Sequence, residues 1–323
     1  MESSYHPEAD DTDLLDAKHI SYYRGLIGSA NWLIILGRYD IQYAVNTLAR
    51  FNAAPRVGHL DAMKRVFGYV KKFPHGQLLI DPKEMDHSEH EEVYHNWSEF
   101  YDEAEEELPP DMPAPRGKRV KLTCYKDADH AHDVVTRRSV SGILMFANGM
   151  PVHWVSKRQK TVETSSYGSE LVCARMAVEL IMEYRYRLRM LGVPIEGPAV
   201  LFGDNNSVIL NTTLPSSQLK KKHNAIAYHR VREAIATKIV RFIKIATQDN
   251  LADVLTKPIP TNDFLNKVHP VLFRKPMAFA SESPKPHEVL AIPGGITAIT
   301  ATNQPIATSD TISNVQPTAP PLN

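Results

Sequence analysis

The sequence predicts an α/β fold for its central part, and three segments carry that prediction. Residues 120–127 alternate apolar Val120, Leu122 and Cys124 with Lys121 and Thr123, the period of a half-buried strand. Residues 199–204 are a short apolar run, Ala199-Val200-Leu201-Phe202, stopped by Gly203 and followed by Asn205-Asn206-Ser207, which would start a helix. Between the two, Leu171, Ala174, Val178, Ile181, Tyr184, Leu188 and Leu191 recur every three or four residues and define one buried face of a long helix.

Taken in order, residues 1–18 are acidic and read as a flexible leader. Residues 19–80 are helical in pattern. Leu26, Trp32, Leu33, Leu36, Val45, Leu48 and Val66 supply apolar positions, and Pro55 marks a break. Residues 81–118 hold 3 Lys or Arg against 13 Asp or Glu and include Glu105-Glu106-Glu107-Leu108-Pro109-Pro110, so they are expected to form an acidic disordered linker. Residues 119–260 reverse the balance, with 21 Lys or Arg against 12 Asp or Glu. This basic region holds the strands and helix above, a further strand candidate from Ile239 to Thr247, and a short helical stretch, Asn250 to Lys257, closed by Pro258. Residues 261–323 turn rich in Pro, Thr, Ala and Ser and are expected to be mostly disordered.

The net charge of zero therefore hides a basic domain beside an acidic segment. A polyanion would be drawn to three clusters: Arg137 with Arg138; Lys157, Arg158 and Lys160; and Lys220, Lys221 and Lys222. The competing explanation for each is a solvated face. Trp154 beside the second cluster reads as core packing before it reads as a base-stacking platform. No run approaches the roughly 20 apolar residues of a transmembrane helix, and the acidic start lacks a secretory signal's pattern. Cys124 and Cys173 give no disulfide framework, so a reducing, intracellular compartment is expected. His130, His132, His223 and His229 have no cysteine partner at zinc-site spacing and read as satisfied or solvated side chains.

Four acids stand where these elements end or begin: Asp127, Glu170, Asp204 and Asp253. Singly, each fits a cap or a solubilising charge. Jointly they have the chemistry of a phosphodiester hydrolase, because two magnesium ions about 4 Å apart need hard oxygen ligands to activate water and stabilise a leaving oxygen. Asp129 competes with Asp127 for the first place. Strict alternation from Leu122 and Cys124 puts Lys126 on the inward face and Asp127 on the outward one, so the pleat alone does not choose.

The wording of the chain resembles a known family. Lys126-Asp127-Ala128-Asp129, Arg137-Arg138-Ser139-Val140-Ser141-Gly142, the run from Trp154 to Val162 and Ser165-Ser166-Tyr167-Gly168-Ser169-Glu170 resemble the ribonuclease H region of copia-type LTR retrotransposon Pol polyproteins. Gly203-Asp204-Asn205-Asn206-Ser207, Lys222-His223 and Ala252-Asp253-Val254-Leu255-Thr256-Lys257-Pro258 continue the match in the family's order. Upstream, Tyr23 to Ser29, Asp40 to Val45 and Leu48 to Phe51 resemble the end of its reverse transcriptase.

The resemblance implies a ribonuclease H-like mixed five-stranded sheet flanked by helices, preceded by a reverse-transcriptase thumb or connection remnant at 19–80. It also implies Asp127, Glu170, Asp204 and Asp253 as metal-binding acids, Mg²⁺ or Mn²⁺ as cofactor, and cleavage of RNA in an RNA/DNA hybrid, with the rest of the polyprotein as a partner. The polymerase's Tyr-x-Asp-Asp turn is absent from the sequence. Two further departures stand out: His130-Ala131-His132 replaces the usual tryptophan and glycine, and Lys222-His223-Asn224-Ala225 loses an acid. The missing polymerase turn and the altered Lys222 to Ala225 run motivate an alternative reading, a catalytically decayed or domesticated copy that still binds nucleic acid.

Overall fold

Five strands make one mixed sheet in the order β3-β2-β1-β4-β5: β1 (Leu122–Asp129), β2 (Val140–Ala147), β3 (Met150–Arg158), β4 (Ala199–Gly203) and β5 (Val240–Lys244). The computed structural model describes residues 6–90, 95–102 and 104–273, all in the unit Met1–Pro276. β1 and β3 pair antiparallel with β2, whereas β4 pairs parallel with both β1 and β5. The helices, in chain order, are α1 (Ala17–Ile35), α2 (Gln42–Ala49), α3 (Val57–Lys72), α4 (Ser98–Tyr101), α5 (Ser166–Met190), α6 (Asn206–Thr213), α7 (Ala225–Ala236) and α8 (Thr261–Leu272). The expected α/β class and its mixed five-stranded sheet are thus present. No described helix is long and apolar enough to cross a membrane.

The pleat of β1 divides the structure into two layers. Leu122, Cys124 and Ala128 join Leu171, Cys173, Ala174, Val178 and Ile181 of α5 in the main core. Thr123, Tyr125 and Asp127 alternate onto the other face, where the 3₁₀ turn Leu251–Leu255 crosses β1 and β2. Gly142 on β2 permits that crossing. A Cβ there would lie 2.6 Å from Thr256 Cγ2 and 2.8 Å from the Ala252 carbonyl oxygen. Beyond the turn, Val268, Val271 and Leu272 of α8 pack with Leu144, Phe146, Val254 and Leu255. The segment expected to be mostly disordered therefore begins with a packed helix; residues 274–323 lie outside the described residues.

Element boundaries moved for identifiable reasons. β1 starts at Leu122 and continues to Asp129 because its ladder with β2 pairs Ala128 with Ser141 and Asp129 with Val140, so Asp127 lies within the strand. α5 starts at Ser166, after extended Ser165, which puts Glu170 in the second turn. In the helical segment Tyr23, Ile27, Ile34, Val45, Leu48, Leu60, Met63 and Val66 form the core. Trp32 and Leu36 do not join it and stand 62% and 61% exposed. Trp32 precedes Ile34 by two residues, roughly 200° around a helix, and so faces away.

Residues 81–118 form little regular structure where they are described, yet several of them are fixed to the fold. Glu106 accepts two hydrogen bonds from Arg185 (2.6 and 2.7 Å) and two from Arg189 (2.6 and 2.8 Å). Burial opposes that carboxylate's charge, but the two guanidinium groups hold its pKa at about 2. His87 hydrogen-bonds Thr123 at 2.9 Å, and the Arg232 guanidinium lies 4.7 Å from the centre of the buried Trp97 ring.

Gly142→Ala should destabilise the protein by about 1–3 kcal/mol, the usual cost of overpacking a filled site. Urea denaturation checks this. An unchanged midpoint would mean that the 3₁₀ turn shifts freely over β2.

Candidate metal centre

The parallel pairing of β1 with β4 sets Cys124 opposite Leu201 and Tyr125 opposite Phe202, so both strands deliver their last residues to one edge. Asp127 comes from β1, and Asp204 is the first residue after β4. Asn205 caps α6 by accepting from Val208 N at 3.1 Å, which turns the chain away at that point. Glu170 arrives from α5. One carboxylate oxygen from each of Asp127, Glu170 and Asp204 lies within 4.8 Å of the others. Asp127 and Glu170 are buried and Asp204 is half-buried, so the centre opens on the Asp204 side. Three hard oxygen donors at this spacing suit a divalent ion.

Asp253 approaches from the 3₁₀ turn on the Asp127 side. Lys257 Nζ bridges them, 3.3 Å from Asp253 Oδ1 and 3.7 Å from Asp127 Oδ2. Lys267 Nζ holds the other Asp253 oxygen at 3.2 Å. Thr256 donates its hydroxyl to Asp127 Oδ2 at 2.5 Å, fixing that carboxylate from the turn. Asp253 thus stands beside the three converging acids without sharing their triangle.

Behind the centre, Lys126 is fully buried and donates to Glu170 Oε2 at 2.5 Å. Gly203 makes room for it, since a Cβ there would sit 2.5 Å from Lys126 Cε. Asn250 Nδ2 donates to the Lys126 carbonyl at 3.0 Å and ties the strand to the turn. Burial pushes the Glu170 carboxyl up to about 7; Lys126 opposes the rise, while Asp127 and Asp204 add to it. Burial and the charge of Asp127 likewise push Asp253 up to about 6, against Lys257 and Lys267. The Lys257 ammonium is held above its ordinary value because the two carboxylates outweigh its burial.

The basic clusters divide. Arg137, Lys157, Lys160, Lys220 and Lys222 are exposed and Arg138 is half-buried. Arg158 is committed to buried Asp133 at 3.0 Å, which Arg50 also pairs. Lys221 donates to Ser165 Oγ at 2.6 Å and Thr164 Oγ1 at 3.2 Å, bracing the entry to α5. Trp154 is half-buried and packs with Tyr39, as core packing requires. The histidines do not gather: His223 faces Glu163, His229 contacts Tyr101, and His132 lies between Asp129 and Tyr43. Reasoning from sequence missed the roles of Lys126, Thr256, Lys257 and Lys267. Thr256 and Lys257 lie inside the Ala252 to Pro258 run, so the motif that points to Asp253 is also the signal that leads to them.

The chain is 30% identical over 244 residues to the retrovirus-related Pol polyprotein from transposon RE1 of Arabidopsis thaliana, a match covering 76% of this chain and 14% of that protein. It is 26% identical over 242 residues to the corresponding polyprotein from transposon TNT 1-94 of Nicotiana tabacum, covering 75% and 16%. The chain thus spans about a seventh of the length of these relatives. Among solved structures, LC11-RNase H1 isolated from compost matches at 15% identity and a TM-score of 0.32, over 46% of this chain and 96% of that one. No family model matches.

The raised carboxyls give a pH test in the absence of metal. Glu170 and Asp253 bind protons more tightly folded than unfolded, with values of about 7 and about 6 against ordinary ones of 4.5 and 3.8. Their stabilising contribution is therefore complete below the ordinary values and lost as pH rises through about 6 and 7. Urea denaturation in EDTA should show this decline, and Glu170→Gln should reduce it. A decline that Glu170→Gln leaves intact would place the titrating group elsewhere.

Proposed function

The chain belongs with the retrovirus-related Pol polyproteins of copia-type transposons, and on that premise we propose that residues 119–260 hydrolyse the RNA strand of RNA/DNA hybrids. The convergence of Asp127, Glu170 and Asp204, three acids distant in sequence, at the β1–β4 edge carries this reading. Asp127, Glu170 and Asp204 would hold a divalent ion, Mg²⁺ or alternatively Mn²⁺, with Asp253 completing the acidic centre from the Asp127 side. A bound ion supplies Lewis acidity to a phosphodiester and lowers the pKa of water. Thr256 holds Asp127 through its hydroxyl, and the Asp204 side would be the open approach for substrate. Exposed Lys157, Lys160, Arg137, Lys220 and Lys222 would take phosphates, which position a duplex without reading its bases. Choice of hybrid over other duplexes would rest on 2′-hydroxyls along one strand. The helical segment α1–α3 would be the end of the reverse transcriptase, working beside the remainder of the polyprotein.

Cleavage of a labelled RNA/DNA hybrid, compared with duplex RNA and duplex DNA, with and without Mg²⁺, tests the proposal. Hybrid alone should be cut, and only with the ion. Asp204→Asn keeps size and removes one charge, so cleavage should fall by more than the roughly 10–100-fold typical of residues behind a metal ligand. Stability should be unchanged or slightly higher because repulsion in the centre falls. Parallel loss of folding and activity would make Asp204 structural.

Replacing Lys157 and Lys160 with alanine should weaken hybrid binding and make its log-log salt dependence shallower by up to about 0.9 per lost contact, with turnover at saturation little changed. An unaltered salt slope would assign the pair to solvent.

The Lys126–Glu170 ion pair favours a second reading, in which a decayed copy binds hybrids without turnover, because an ammonium already occupies one oxygen of Glu170. Hybrid binding without cleavage in either Mg²⁺ or Mn²⁺ would support it.

A further inference from the structure

We infer that Lys257 is a resident cation standing in for a second divalent ion, so that the acidic centre binds one ion, at Asp127, Glu170 and Asp204. The identity of that centre rests on the ribonuclease reading above. Lys257 Nζ lies between two carboxylates that a second ion would otherwise share, 3.3 Å from Asp253 Oδ1 and 3.7 Å from Asp127 Oδ2. Asp253 Oδ1 is buried and has no hydrogen bond among the described residues, so its partner is this ammonium.

The second oxygen of Asp253 is not free to turn toward an ion. Lys267 holds it at 3.2 Å, and Lys267 Nζ is fixed in turn by the carbonyls of Thr247 (2.9 Å), Gln248 (2.7 Å) and Asn250 (2.9 Å). Lys257 itself follows Thr256, anchored on Asp127, and precedes Pro258, so its backbone is constrained on both sides. Its side chain keeps 33% exposure and so can present positive charge to a phosphate as well as to the acids.

Charge balance points the same way. Before any ion binds, the carboxylates of Asp127, Glu170 and Asp253 face the ammonium groups of Lys126, Lys257 and Lys267, and Asp204 and Asp129 add negative charge beside them. One divalent ion neutralises the remainder. A second would enter a centre with no net negative charge left to draw it, beside a first ion whose repulsion a partly buried site screens poorly.

Calorimetric titration of the whole chain with Mn²⁺ alone, and counting of bound ions by electron paramagnetic resonance, test the inference without reference to activity. The wild-type chain is expected to bind one ion, Lys257→Met to bind two under the same titration, and Lys257→Arg to keep one. Circular dichroism in EDTA checks folding. Should Lys257→Met not fold, Lys257→Gln and the wild-type count carry the test. Two ions or none on the wild-type chain, or an isotherm that neither neutral variant alters, would overturn the inference. Hybrid cleavage is read separately. Cleavage with two ions bound would remove the role given to Lys257 and leave the ribonuclease reading standing; one ion without cleavage would do the reverse.

Discussion

Burying like charges at one sheet edge is the constraint that the rest of this structure answers. Asp127, Glu170 and Asp253 are almost wholly removed from water, and Asp204 borders them. Carboxylates so placed resist joint ionisation unless cations or protons join them. The fold supplies the cations from three different elements: Lys126 from β1, Lys257 from beyond the 3₁₀ turn, and Lys267 from α8. Each needs space or anchorage elsewhere. Gly203 clears the path of Lys126, three carbonyls seat Lys267, and Gly142 lets the turn that precedes Lys257 cross β2.

The same edge explains how the helical segment is fastened to the sheet. Tyr43 of α2 contacts His132 Nε2 at 2.6 Å, and His132 Nδ1 contacts Asp129 at 2.5 Å, two residues beyond Asp127. Asn46 donates to the Ser156 carbonyl at 2.8 Å, and Arg50 shares Asp133 with Arg158. Burial opposes the charge of Asp133, yet the Thr136 N–H and the two arginines hold it at about 2. His132, one of the residues that departs from the resembled family, therefore has a structural part: it links α2 to the strand bearing the first acid. Arg158, attractive in sequence as a phosphate contact, is a strut between layers.

What could be read from the sequence was what depends on local pattern. The alternation in β1, the apolar stop at Gly203 and the three-to-four periodicity of α5 gave the right elements, because burial of one face imposes those periods wherever the element sits. What could not be read depends on partners distant in sequence. The continuation of β1 to Asp129 requires the β2 ladder, and the outward turn of Trp32 requires knowing which stripe of α1 meets α2 and α3. Lys126 on the inward face followed from alternation alone, but an inward lysine has no meaning until Glu170 is seen opposite it. For the same reason the surplus of acid in residues 81–118 concealed Glu106, whose partners Arg185 and Arg189 stand about eighty residues later on α5.

The lysines also separate folding from chemistry. A centre of bare carboxylates would depend on a metal ion for stability, as many small metal-bound domains do. Here the internal ammonium groups offset part of the repulsion among the acids, so less of it is left for an ion to relieve. The same arrangement lowers the electrostatic gain on binding an ion, because part of the negative charge is already matched. A sequence under selection for turnover would keep that gain large enough to load the centre. A copy retained for binding nucleic acid would lose nothing by letting Lys126 and Lys257 fill it. The catalytic and the decayed readings thus share one fold and one basic surface, and they part at the strength with which these two lysines compete for the acids.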